Sequence, residues 1–211
     1  TVTPPNFVHL HVHTQYSLLQ GAIPVDTLVQ RAKQLGMPAV AITDAHNLFG
    51  AIDFYLEAKK AGVQPIFGCE VNYCSDGRAQ WSQGAAAAKA AMVQNPRPRF
   101  FQFVLLAKNL EGYRNLCELV SESWLATRGQ KPIPGMPAVT IDRSMLLKYR
   151  EHLVCLSGGL RGPLSSRILF QEEDELVQEA LEFKEWFGED FYFELQDTGI
   201  PEQEQINTRL W

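Results

Sequence analysis

Blocks of like charge are absent from the sequence, as are paired cysteines and long apolar runs, and each absence removes a class of protein. Asp and Glu number 24 against 19 Lys and Arg over 211 residues, a formal net charge of −5. With no basic cluster to neutralise phosphates, this chain is expected to meet DNA only indirectly. The four cysteines, Cys69, Cys74, Cys117 and Cys155, include no CxxC pair. That argues against a zinc knot or a disulfide frame and for reduced thiols used in packing. No apolar run is long enough to span a bilayer and no signal peptide opens the sequence. The expectation is a cytoplasmic protein with no membrane partner.

What is present is a hydrophobic content of 45%, enough for one domain over residues 1–211 with a sizeable core. Strand-like runs alternate with amphipathic stretches: FVHLHV, PVDTLVQRAKQL, PAVAIT, LFGAIDFYLEAKKA and PIFGCEV. Such alternation marks βα units around a parallel sheet. In the first helix Val25, Leu28, Val29, Ala32 and Leu35 share a face, Pro24 suits a helix start and Gly36 supplies the stop. Residues 75–99, rich in Gly, Ala and Pro, read as a mobile excursion. The rhythm resumes with FFQFVLLAK, NLEGYRNLCELVSESWL, a Pro-rich crossing at KPIPGMPAV, HLVCLSG, EEDELVQEALEFKEWF and FYFELQ, about six repeats in all. A nearly closed barrel is the expected α/β architecture, and PEQEQINTRLW opens a further helix with no strand after it.

In such a barrel, functional groups gather at the carboxyl ends of the strands. His9, His11 and His13 of HLHVH lie on one side of an extended chain because side chains alternate with period two. His11 and His13 are spaced to grip one ion, and Glu70 from a neighbouring strand completes a set suited to zinc or manganese. Asp44 and His46 fall within reach of a second ion. Blander roles compete: His9 reads as a hydrogen-bonded core residue, while Asp44 and Asn47 read equally as caps of the second helix. Glu70 is harder to dismiss, because a carboxylate ending an apolar strand needs a partner.

FVHLHVHTQYSLL, LGMPAVAITDAHNLFGA, AKKAGVQPIFGCEV, VLLAKNLEGYRNLCELVS, LSGG and YFELQDTGIPEQ resemble, in order and spacing, the amino-terminal PHP (polymerase and histidinol phosphatase) domain of bacterial replicative DNA polymerase III alpha subunits. The resemblance implies a distorted, TIM-like (βα)7 barrel, incomplete at its C-terminal end in this chain, with metal ligands at the strand ends. His11, His13 and Glu70 match the ligand pattern. Gln20, Ala45, Gln102 and Gly159 stand where that pattern has ligands, and His46 is displaced from it by one place. The resemblance thus implies a degenerate centre holding one zinc or manganese ion weakly, or none. It further implies a parent nucleotidyltransferase whose catalytic carboxylates lie elsewhere, with this domain a docking module for the polymerase core and a proofreading exonuclease. The alternative is a metal-dependent phosphoesterase using His11, His13 and Glu70.

Overall fold

The computed structural model describes residues 7–74, 100–129 and 137–211. The excursion expected at 75–99 and most of the Pro-rich crossing lie outside these. The elements follow as α1 (Val25–Gln34), β1 (Ala39–Ile42), α2 (Ala51–Ala61), β2 (Gln64–Tyr73), β3 (Phe101–Ala107) and α3 (Leu110–Thr127). Then come α4 (Arg143–Tyr149), β4 (Leu153–Leu156), α5 (Pro163–Leu169), α6 (Glu173–Phe187), β5 (Phe191–Tyr192) and α7 (Pro201–Leu210). The α/β class is as expected; the two seven-residue helices α4 and α5 were not anticipated.

Local chemistry sets several boundaries. Helix α1 starts after Pro24 and buries Val25, Leu28, Val29 and Ala32. Gly36 follows its end at φ 70°, a left-handed turn that glycine enters without Cβ strain. Gly62 closes α2 in the same way. Asn47, expected to cap α2, does not: Gly50 is the first flanking residue, and the Asn47 amide binds the Tyr16 and Ala45 carbonyls.

The strands join in the order β1-β2-β3-β4-β5. Pairs β1–β2 and β4–β5 are parallel, whereas β3 runs antiparallel to both β2 and β4. Among the described residues the strand ladder is open, which departs from the closed parallel barrel. The reversal of β3 has a consequence for function. Gln102 sits near its amino end, so it lies at the same sheet edge as the carboxyl ends of the other strands, while Lys108 lies at the opposite edge.

The expected first strand, FVHLHV, is extended but unladdered. The Ala41 N–H donates to the His9 carbonyl and the Thr43 N–H to the Val12 carbonyl. Acceptors three residues apart thus meet donors two apart, so one residue is extra, as in a bulge. The Val12 N–H goes to the Thr43 side chain instead of a strand partner.

Packing divides by sheet face. Phe103, Leu105, Leu116, Leu119, Leu146 and Phe183 join the core between the sheet and α3, α4 and α6. A second core lies under α1 and α2 around Val29, Val40 and Phe54. On the inner face Ala41, Val104, Leu106 and Leu156, from β1, β3 and β4, form a small third cluster. Cys69, Cys74 and Cys155 are buried and Cys117 is partly buried, and none is in a disulfide, in keeping with the packing role expected of them.

Candidate metal centre

The inner face turns polar toward one edge. In the β2–β3 ladder Glu70 lies opposite Val104 and Asn72 opposite Gln102, so all four side chains share that face. Glu70 is only 8% exposed, and burying a carboxylate there requires partners. The bulged segment supplies them. His11 Nε2 lies 3.2 Å from Glu70 Oε2, and His13 Nε2 lies 3.5 Å from Glu70 Oε1, a charge contact longer than a hydrogen bond. The two imidazoles meet edge to face, 5.4 Å between ring centres. One ligand atom from each of His11, His13 and Glu70 lies within 4.8 Å of the others.

Opposite charges support one another in this cluster. Burial works against protonation of His11, but hydrogen bonds to Glu194 and Glu70, and their charges, outweigh it and raise the imidazole to about 9. Burial likewise opposes ionisation of Glu70, yet the two histidines hold its carboxyl down at about 2. Two imidazoles and one carboxylate are the donor chemistry of zinc or manganese sites. His13 Nε2, moreover, is buried with no hydrogen-bond partner among the described residues. The set therefore fits one divalent ion held by His11, His13 and Glu70.

Glu194 was not among the expected site residues. Its Oε1 lies 2.6 Å from His11 Nδ1, on the side of the ring away from Glu70. The signal that marked Glu70, a carboxylate inside an apolar run, is equally present in FYFELQ.

The second-ion candidates are not brought into the cluster. Asp44 is buried and accepts hydrogen bonds from the Thr14 N–H and hydroxyl, at 2.7 Å each, and from the Ser17 hydroxyl. Its oxygens organise the turn after His13. His46 is buried at φ 50°, accepts at Nε2 from the Asn72 N–H, and is lowered to about 4 by that burial. Trp124 of α3 pins its carbonyl at 2.8 Å. His9 is exposed and stacks edge-on with Phe7, which corrects the expectation of a core histidine.

At the positions without ligands, Gln20 is exposed in a turn and Ala45 bridges the Glu70 backbone. The Gln102 amide donates to Asn72 Oδ1 at 3.0 Å. A Cβ on Gly159 would stand 2.6 Å from the Gln196 amide oxygen, so that amide fills the space a larger residue would need.

The family defined by these features is matched directly: the PHP domain profile covers residues 9–198, and the chain belongs to the PHP domain family. Its relatives are more particular. The DNA polymerase III subunit alpha of Borreliella burgdorferi is 40% identical over 205 residues, covering 97% of this chain and 16% of that protein. The subunits of the same name from Treponema pallidum and Thermus aquaticus are each 36% identical, covering 95% and 97% of this chain and 16% of their own length. The chain therefore spans about a sixth of the length of these relatives. Among solved structures, an amidohydrolase from Chromobacterium violaceum aligns over 56% of this chain and 34% of its own, with 19% identity and a TM-score of 0.38, too distant to carry an argument.

Proposed function

We propose that the chain is the PHP region of a replicative DNA polymerase III alpha subunit, cytoplasmic, and acts mainly as a structural module that docks the polymerase core and the proofreading exonuclease. The observation carrying this is the alignment of polymerase alpha subunits along nearly the whole chain, joined to a centre in which Asp44 and His46 are already committed to internal hydrogen bonds. Hydrolysis across several bridged ions needs anionic or imidazole ligands at each, and these are spent. An apolar groove of about 490 Å³ between α2 and α3, with Ile52, Tyr55 and Leu110 exposed along it, is surface of the kind that docking covers. No helix of the described residues is long and apolar enough to cross a membrane. Co-elution of the chain with the polymerase core and with the exonuclease subunit tests the proposal; elution of all three apart removes the docking role.

The barrel belongs to the same reading. It is supported by segment 7–13, which bonds to β1 on one side and reaches Glu194 through His11 on the other, where a closing strand of a barrel would lie.

A second reading is favoured by the unpartnered ring nitrogen of His13. When bound, a zinc or manganese ion polarises a phosphate ester and makes water acidic enough to attack it. His11, His13 and Glu70 would hold that ion, and the inner-face cluster of Ala41, Val104 and Leu156 would limit water beneath it. Manganese- or zinc-dependent turnover of a generic phosphate ester, abolished in His13→Ala, is the expected sign; no turnover with either metal removes this reading.

A further inference from the structure

We infer that Glu194 is a positioning residue for His11, fixing which ring nitrogen faces the cluster. The inference rests on the one-ion centre described above.

A neutral imidazole carries one N–H, and whichever nitrogen bears it cannot ligate a metal. Glu194 Oε1 stands 2.6 Å from Nδ1, while Nε2 faces Glu70 at 3.2 Å. With the Nδ1–H donating to Glu194, an ion that displaced the Nε2 proton would meet that nitrogen's lone pair, directed at the cluster. Carboxylates placed behind a ligating histidine in this way orient the ring and raise its basicity. Glu194 does not belong to the three-residue ligand cluster itself, which fits support from behind rather than ligation.

The support is built from the chain's own geometry. The Ser157 hydroxyl at the end of β4 accepts the Glu194 N–H at 2.9 Å, and the Ser157 N–H in turn donates to the Tyr192 carbonyl of β5. The Gln196 amide donates to Glu194 Oε1 at 2.6 Å, and its backbone is bonded on both sides to the Asn207 side chain of α7. Glycine at 159 leaves room for that amide, since a Cβ there would crowd it. A position that reads in sequence as a lost ligand thus has a use: it admits the amide that steadies Glu194.

The test is zinc titration of the 211-residue chain, of Glu194→Ala and of Glu194→Gln, by calorimetry, with nitrogen-15 histidine spectra of each zinc-loaded form. Loss of such support typically costs 10–100-fold in metal affinity, and that loss is expected for Glu194→Ala. Glu194→Gln keeps an acceptor for the Nδ1 proton and should lose less. The unaltered chain should show His11 with a protonated Nδ1 and zinc on Nε2, and Glu194→Ala a mixture. A variant with merely loosened packing would be less stable yet keep the Nε2-bound spectrum, and that result overturns the assignment. Equal zinc affinity in Glu194→Ala overturns it too, leaving the one-ion centre standing. Absence of zinc uptake by the unaltered chain instead removes the centre, and the role of Glu194 toward it falls with it.

Discussion

His46 is a buried imidazole with its charge excluded. Its Nε2 accepts the Asn72 N–H, so the ring proton sits on Nδ1, which has no partner among the described residues. Burial holds its pKa at about 4 against 6.5 for the unperturbed group. Above pH 6.5 the ring is neutral in both folded and unfolded chains and adds no pH dependence. Between 6.5 and 4 the unfolded chain takes up a proton that the folded chain refuses, so stability is lost as pH falls through that window, by roughly 3 kcal/mol. Urea unfolding at pH 7 and pH 4.5 should show a larger loss for the unaltered chain than for His46→Gln; equal losses would contradict the assignment of a neutral ring. Gly158 makes a second point at this scale. Its φ is 79° and a Cβ would lie 2.1 Å from the Gln102 carbonyl oxygen, so Gly158→Ala should cost about 2–4 kcal/mol in denaturant melts. Glu70 was legible in the sequence because an acidic residue in an apolar run requires a partner, and its partners proved to be the expected histidines. Asp44 and His46 lie outside the three-residue cluster, which sequence could not reveal because it gives proximity to a site without showing competing donors. The Thr14 and Ser17 hydroxyls and the Asn72 amide claimed them first.

At the level of elements, capping is separable from packing. Asn109 begins α3 and its side chain accepts the Gly112 N–H at 3.0 Å, so Asn109→Ala should lower stability by about 1 kcal/mol in thermal or urea melts. Unchanged stability would mean that α3 is held by its buried face alone. Helix α1 was readable from its 3.6-residue period and its flanking Pro24 and Gly36, and β2 and β3 from their apolar runs. The direction of β3 was not, because alternation of side chains is the same whichever way a strand runs. Helices α4 and α5 span seven residues each, too short for periodicity to decide. The extra residue in segment 7–13 shows only against the spacing of its partners on β1.

For the molecule as a whole, the candidate centre links segments that no strand ladder joins among the described residues. The segment carrying His11 and His13 is tied to β1 by backbone hydrogen bonds and to the chain after β5 by the His11–Glu194 contact, with Glu70 between. Ion binding at these groups should therefore stabilise the fold as well as the site, since a ligand that binds only the folded chain shifts unfolding upward. The geometry brings together three ligands for one ion and commits the neighbouring Asp44 and His46 to other bonds. The most direct measurement is the metal content of the purified chain by elemental analysis, after exposure to manganese and zinc and removal of the excess. One ion per chain is predicted, lost in Glu70→Ala; two or three ions per chain, or none, would contradict it.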